Sequence, residues 1–489
     1  MTRPDARTPE PRWMENGVIA AALVFMAGFV FIPHAIRYFF LFDDYAIVEH
    51  LRRIGTFDIV TLSGGFYRPA ALLVLAGEAR LFGWGHPEGY ALVSVTLHLL
   101  NTILACGLLR RLGLGRRESV AAAVVFLASP WAGQATFWVS AQFDLLALLG
   151  CLGSLLLGLE AMERPGRDGT ACLAGSFACA ALAVFSKEVA VILPVLFLLL
   201  WVLTRRVRAT TSPYRLAGAL AGLVLVVLAY LFIRSRFLPV LEGPYGSFGE
   251  LLQPRRIPAN IWSYARSVLL LPTGLSGWPG HAIDGVNVLA WAGLLARAAW
   301  LDTRRTAILA LGFCASLAPV LWVGIEPRSL GQGRFIYLPG FFACALLAAG
   351  LGKGWATGFA WERTAWAAVL AVSVLSIHHQ RRMWGMATDL ARSAIVGFES
   401  LLPADRPIHI RNLPFSFVGG PQILKSYAFG LYYGGRLGQP VRSDALLLRM
   451  EEGRIVIARK ERDVFSEYEG RKDEREVTLS LPIVETPAP

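Results

Sequence analysis

Residues 216–233 read LAGALAGLVLVVLAYLFI, eighteen positions without a charge or a proline. A helix gains about 1.5 Å per residue, so a run of about 17–20 apolar residues crosses the hydrocarbon core of a bilayer. The runs at 17–33, which ends on Pro33, and 188–203, which includes Glu188 and Pro194, are otherwise apolar and of similar length. The whole chain follows their lead: 489 residues, 55% hydrophobic and 17% charged, with a mean hydropathy of +0.50. Length alone would suggest three or so soluble domains, but this composition indicates a polytopic membrane protein. Working outward from these runs gives about eleven spans, near 17–36, 89–109, 118–130, 141–160, 170–186, 188–203, 215–233, 286–301, 306–323, 337–352 and 363–378. The first run leads directly to Arg37 and the pair Asp43-Asp44 with no small-residue cleavage site, so it reads as a retained helix.

The net charge of +12 belongs to this membrane reading. Basic residues gather at span ends: Arg110, Arg111, Arg116 and Arg117; Arg205, Arg206 and Arg208; Arg304 and Arg305. With a cytoplasmic N-terminus these short loops all fall inside, where positive charge sets orientation and meets anionic lipid heads. No segment has the pattern of a nucleic-acid module. The six cysteines (Cys106, Cys151, Cys172, Cys179, Cys314 and Cys344) sit in apolar stretches without ligand spacing and read as small core residues.

That orientation puts segments 37–88, 131–140, 234–285 and 324–336 outside, with everything after about 379. Segment 37–88 is too long for a simple connection and reads as short helices on the membrane face. Segment 250–271 mixes Arg255, Arg256, Trp262, Tyr264 and Arg266 with leucines, the pattern of an interfacial amphipathic helix. Residues 379–489 are more polar and alternate at Ile408-His409-Ile410 and Arg454-Ile455-Val456-Ile457. The expected organisation is therefore a transmembrane domain over 1–378 and a small α/β extracytoplasmic domain over 379–489.

The outer side collects Asp43-Asp44, Tyr67-Arg68-Pro69, His86-Pro87, the stretch from Trp138 to Asp144, Ser186-Lys187-Glu188, and Gly333-Arg334-Phe335-Ile336-Tyr337-Leu338-Pro339. Ionisable groups cost roughly 2.5–3.5 kcal/mol at mid-bilayer on insertion scales, so those in a greasy chain are usually functional. A carboxylate can take a proton from a hydroxyl as that oxygen attacks an anomeric carbon. Cations stabilise a departing phosphate, and more so in a site shielded from water. A phosphate leaving group is already anionic, so one base and two or three cations would suffice.

At these residues the chain resembles the GT-C superfamily of integral-membrane glycosyltransferases. It is most similar to the branch of protein O-mannosyltransferases, including the transmembrane and TPR-repeat-containing kind. The resemblance runs in order from the acidic pair through Tyr67-Arg68-Pro69, His98 and Asn101, Ser186-Lys187-Glu188, Tyr264 to Leu269-Leu270-Leu271-Pro272 with Leu275, and Arg334 to Pro339. It covers about residues 40–340. This chain has Ser129-Pro130 and Gln134 where the family often has His-Pro and Glu, and Gln142 where an Arg often precedes the Asp by two residues. The TPR array is absent, replaced by the short domain after 379.

The resemblance implies a GT-C-like all-α membrane fold in the inner (plasma) membrane. It also implies inverting transfer of a sugar from a polyprenyl-phosphate donor to a protein, lipid or cell-envelope glycan on the outer face. Asp43 or Asp44 would be the base, the family pattern favouring Asp43. Arg68, Lys187, Arg334 and Tyr337 would hold the donor phosphate, with Tyr67, Glu188, Asp144 and His86 in support. Arg68, Lys187 and Arg334 would surround one outward pocket, since clustered cations repel unless an anion sits among them. No cofactor is required, although adjacent carboxylates are also hard oxygen ligands for a divalent cation.

Plainer readings stand beside these. Asp43 and Asp44 can be a helix cap or a solvated pair, Arg68 a lipid-headgroup anchor, and Lys187 and Glu188 partners of each other. His98 and Asn101 read as interhelical hydrogen-bonding groups, and Trp131 and Trp138 as interfacial anchors. The alternative function is a transporter or lipid flippase, in which the same charges line a path. That class favours paired internal repeats, and the sequence has no repeat of 20–50 residues.

Overall fold

The structure, a computed structural model, describes residues 12–53, 66–164, 166–204, 212–238, 242–243, 246–247, 256–269, 277–326, 329–352, 360–418, 420–433, 436–437, 439–451, 454–462 and 475–483. Arg205, Arg206, Arg208, Arg255 and the stretch 270–275 lie outside them.

The helices are α1 (Arg12–Ala35), α2 (Asp44–Arg53), α3 (Pro69–Phe82), α4 (Pro87–Arg111), α5 (Arg116–Leu127), α6 (Pro130–Phe137), α7 (Gln142–Glu163), α8 (Gly166–Ser186), α9 (Leu193–Leu203), α10 (Pro213–Arg234), α11 (Arg256–Leu269), α12 (Gly277–Leu317), α13 (Tyr337–Leu351), α14 (Ala360–Phe398) and α15 (Tyr427–Tyr433). α4 shows why such segments are helical and where they pack. Pro87 opens it, Glu88 lies in its first turn and Arg110-Arg111 in its last, as the helix dipole favours. Tyr90, Ser94, His98, Asn101 and Ala105, three or four apart, form its buried face.

Five helical segments among the described residues are long and apolar enough to cross a membrane: Pro87–Arg111, Val139–Glu163, Gly166–Ser186, Pro213–Arg234 and Gly333–Leu351. The pair Arg116–Leu127 and Pro130–Phe137, bent by 53°, adds a sixth if it is one span. This count differs from the expected eleven for local reasons. The expected spans 286–301 and 306–323 fall on either side of a kink at Asp302 (φ −158°, ψ 87°), where α12 is two helices joined end to end, and the second span runs on past Leu317 into the turn Ala318–Val320. The expected first span lies in α1 (Arg12–Ala35), and Glu188–Leu203 is apolar but shorter. The expected last span is the start of α14, which continues past residue 378 without a break.

α13 is the central helix, buried on nearly every side. α10 is peripheral: Val224, Leu225, Leu228 and Phe232 stand exposed, as suits a face toward lipid tails. α7 and α8 cross closely at Gly150, where a Cβ would stand 2.6 Å from the Cys179 carbonyl oxygen. In α11, Tyr264 is buried and donates to the Val320 carbonyl (2.9 Å), while Ile261 and Trp262 remain exposed.

Two short strands, β1 (Glu242–Gly243) and β2 (Gly246–Ser247), pair antiparallel, and the C-terminal sheet contains β3 (Ile408–Phe417), β4 (Val441–Glu451), β5 (Arg454–Arg462) and β6 (Arg475–Val477) in the order β5-β4-β3-β6. β3 runs parallel to both neighbours, and β4 and β5 are antiparallel. The buried residues Ile408, Ile410, Leu413, Leu446 and Leu448 give the sheet its core face. The end of α14 joins it to the helices: Phe398 packs on Phe429 (4.5 Å between centroids), and the Tyr433 hydroxyl donates to the Ile395 carbonyl.

Candidate functional site

The two adjacent aspartates have opposite environments. Asp44 opens α2 and is buried. Its Oδ2 accepts from the Tyr38 hydroxyl and the Leu41 amide (2.9 Å), and its Oδ1 from the Ser140 amide (2.9 Å) and the Ser140 hydroxyl. Burial pushes its carboxyl up to about 6, although these donors act in the other direction. Asp44 thus fastens the segment after α1 to the Val139–Ala141 turn.

Asp43, one residue earlier, has a side chain 43% exposed. Lys425 of the C-terminal domain places its Nζ 3.1 Å from the Asp43 Oδ1, and the Tyr427 hydroxyl lies 3.4 Å from the same oxygen. The Lys425 ammonium also sits 3.6 Å from the centroid of the Phe42 ring. Phe42 adopts a left-handed backbone (φ 44°), uncommon for an aromatic residue, and its amide donates to the Ile423 carbonyl (2.8 Å). Asp43 therefore owes its placement to a contact between distant parts of the chain.

The cations meet at the stretch from Trp138 to Asp144. The Arg334 guanidinium lies over Trp138 (4.8 Å) and Phe335 (5.1 Å). Arg68 lies 5.2 Å from the Phe143 ring and forms a two-pronged ion pair with Glu188, at 3.0 and 2.6 Å. Lys187, between α8 and the next helical turn, is ion-paired with Asp144. Burial draws the Lys187 ammonium down to about 8; Asp144 opposes this, while Arg68 and Arg334 reinforce it. Since Ser140 binds Asp44, this one stretch carries the acidic loop at its centre and three cations around it.

Several sequence readings need amendment. The repulsion among the cations is relieved by the protein's own carboxylates, and Lys187 and Glu188 pair with Asp144 and Arg68 rather than with each other. Tyr337 is buried with its hydroxyl against His98 Nδ1 (2.6 Å) and Asn101 Nδ2 (3.2 Å). It nevertheless lines, with Asp144, Val189, Val320 and Arg334, a narrow crevice under the cluster. His98 and Asn101 also bridge helices through the carbonyls of Leu127 (3.0 Å) and Leu145 (2.9 Å), as interhelical groups should. Tyr67 is buried, stacked on Phe237 at 5.1 Å. His86 is exposed and pairs with Glu88 (3.0 Å), apart from the cluster. Trp131 and Trp138 are core residues: Trp131 donates to the Ser267 carbonyl (3.2 Å) and Trp138 stacks near Trp384.

Sequence reading passed over Glu78 and Lys425. Glu78 is buried in α3, and its Oε2 accepts from Gln142 Nε2 (3.0 Å), which also faces the Tyr90 carbonyl and the Ser94 hydroxyl. With only a neutral partner, burial pushes the Glu78 carboxyl up to about 8. A lone acid in the apolar run from Ala70 to Phe82 was a readable signal. Nothing local marks Lys425. Among the described residues no three His, Cys, Asp or Glu side chains converge as a metal site, and the oxygens of Asp43 and Asp44 engage different partners.

No family model and no curated protein matches the chain. Solved structures do resemble it. A protein O-mannosyltransferase Pmt1-Pmt2 complex of S. cerevisiae bound to its sugar donor is 16% identical, over 46% of this chain and 34% of that one, with a TM-score of 0.33. The oligosaccharyltransferase of Archaeoglobus fulgidus is 12% identical over 86% of this chain and 62% of that one, with a TM-score of 0.48. ArnT of Cupriavidus metallidurans is 15% identical over 88% and 86%, with a TM-score of 0.40. The chain thus spans about a third of the first and under two thirds of the second. The solved structures that this chain resembles are GT-C glycosyltransferases.

Proposed function

We propose that the chain is an inverting glycosyltransferase that moves a sugar from a polyprenyl-phosphate donor to a hydroxyl acceptor at the outer face of the plasma membrane. The observation that carries this reading is the convergence on Trp138–Asp144. An acidic loop with one half-exposed carboxylate is tied to the stretch at Ser140, and Arg334, Lys187 and Arg68 lie around it. In this reading Asp43 takes the proton of the acceptor hydroxyl while that oxygen attacks the anomeric carbon. The new C–O bond forms as the bond from carbon to the phosphate oxygen breaks, in one displacement, because among the described residues no second carboxylate stands as a nucleophile. The lipid phosphate leaves as an anion toward Lys187, Arg68 and Arg334, whose charge is worth most where water is excluded.

The division into a transmembrane domain over 1–378 and an extracytoplasmic domain over 379–489, with the N-terminus inside, belongs to the same proposal. It assigns the small α/β domain to the acceptor side. Positive charge is supplied by side chains, so no cofactor is called for, and chelation with EDTA should leave turnover intact.

The test is purified protein in liposomes with a short-chain polyprenyl-phosphate sugar and membrane extract as the source of acceptor, following release of polyprenyl phosphate. Asp43→Asn should abolish release while the protein stays folded and membrane-inserted. Normal release by that variant refutes the assignment of the base. Lipid flipping or substrate uptake without glycosyl transfer would establish the transporter alternative instead.

A further inference from the structure

Between the Asp44–Ser140 and Asp144–Lys187 contacts, the stretch from Trp138 to Asp144 has a third attachment, at Gln142. Gln142 is fully buried. Its Nε2 lies 3.0 Å from Glu78 Oε2, 3.0 Å from the Tyr90 carbonyl oxygen and 3.1 Å from the Ser94 hydroxyl. A backbone carbonyl can only accept, so the amide must turn its nitrogen to this side and give one proton to Glu78 Oε2. Two oxygens are left over. Glu78 Oε1 and Gln142 Oε1 are both buried, and neither has a hydrogen-bond partner. The other carboxylates along the stretch are better provided: Asp144 has Lys187, Glu188 has Arg68, and Asp44 has two hydroxyls and two amides. Among the described residues no cation pairs with Glu78. An ionised carboxylate in a dry place with one neutral donor is strongly disfavoured against its protonated form.

We propose that Glu78 is a positioning residue that works as the neutral acid. Protonated on Oε1, it donates to Gln142 Oε1 while its Oε2 accepts from Gln142 Nε2. One proton thus satisfies both leftover oxygens in a two-bond acid–amide pair. The pair ties the middle of the Trp138–Asp144 stretch to α3 and α4, as Ser140 and Asp144 tie its two sides. Loss of the proton sets acceptor against acceptor, breaks one of the two bonds and leaves a charge that draws in water, so the stretch loosens. Burial acts on the Glu78 carboxyl in the same direction, raising it to about 8. The elements packed on α3 are α2, α4, α7 and α8. They bring Tyr90 of α4 and Asp44 and Arg52 of α2 to this cluster, Arg52 with Glu49 at 3.9 Å, while Asp144 of α7 and Lys187 at the end of α8 pair with each other. Among the described residues none of these pairs with Glu78. The proton and its hold on the stretch stand apart from the sugar-transfer reading; only the consequence for turnover rests on it.

The test uses the full chain in nanodiscs and two readouts that need neither donor nor acceptor. At about pH 6 infrared spectroscopy should show the carbonyl band of a protonated carboxylic acid that Glu78→Gln removes, and in wild type this band should titrate away near about pH 8. Hydrogen–deuterium exchange over 138–144, compared between variants at one pH, reads the hold on the stretch. Glu78→Gln makes the same two bonds without a proton to lose. It should match wild type at about pH 6 and exchange about tenfold more slowly than wild type at about pH 9, where only about one molecule in ten keeps the proton. Glu78→Ala should exchange faster at both. Release of polyprenyl phosphate by wild type should fall about tenfold relative to Glu78→Gln over the same range. A missing infrared band, or equal exchange in wild type and Glu78→Gln at both pH values, overturns the proposal. If Glu78→Ala fails to fold, Glu78→Gln alone decides. The expected band and exchange in a wild type that releases no polyprenyl phosphate would uphold the role of Glu78 and sink the sugar-transfer reading instead.

Discussion

Lys425, between β3 and α15, is ion-paired with Asp43, between α1 and α2, at 3.1 Å from Nζ to Oδ1. The cation holds the half-exposed carboxylate in one orientation and packs on Phe42 beside it. Lys425→Ala should lower kcat/KM for the acceptor on the order of tenfold, about 1.4 kcal/mol at the transition state. Lys425→Arg should restore most of it. Initial rates at saturating donor, with thermal melts as a fold control, check this. Equal activity of wild type and Lys425→Ala would remove the residue from the site.

The adjacent aspartates should separate cleanly in stability. Asp44→Ala strips the acceptor from two hydroxyls and two amides in a buried place, and should cost about 3–5 kcal/mol of stability. Asp43→Ala removes one partly exposed ion pair and should cost under about 1 kcal/mol. Thermal or denaturant unfolding in detergent measures both. Similar melting points for the two variants would contradict the structural role of Asp44.

The pair Arg68–Glu188 lends itself to a double-mutant cycle. Each single replacement leaves one charge without its main partner and should destabilise by roughly 3 kcal/mol. Arg68→Met together with Glu188→Leu should recover much of that stability. Release of polyprenyl phosphate by this double variant should still fall sharply if Arg68 serves the donor phosphate. A double variant with full turnover would leave the pair purely structural.

Glu78 predicts a pH dependence of stability. Burial raises its carboxyl from 4.5 to about 8, so the folded protein binds that proton more tightly than the unfolded chain does. Stability from this group is therefore greatest at low pH and falls as pH rises between about 4.5 and 8. Glu78→Gln keeps an acceptor for Gln142 but has no proton to lose. Relative to wild type it should gain on the order of 3 kcal/mol between pH 5 and pH 8.5. Parallel stability curves across that window would exclude a buried ionising group.

Much of this was legible in the sequence because long-period apolar runs and charges at their ends are local signals. Asp43-Asp44, Arg68, Lys187 and Arg334 stand out for that reason, and the alternation at Ile408–Ile410 and Arg454–Ile457 marks two strands. What was hidden depends on which segments touch. The division of labour between Asp43 and Asp44 is decided by Ser140 and Lys425, about a hundred and nearly four hundred positions away. Trp138 looks like an interfacial anchor until α14 and Arg334 cover it. The two expected spans on either side of Asp302 were legible because the charges at Asp302, Arg304 and Arg305 mark the kink that separates the helices.

The left-handed turn at Phe42 has a consequence in time. Its amide is held by Ile423, and its neighbour Asp43 by Lys425, 382 positions later in the chain. A ribosome making this protein produces the acidic loop first and its clasp long afterwards. Until residues 423–425 have emerged, the loop lacks the contacts that fix its shape, so the order of translation sets when Asp43 reaches its final orientation.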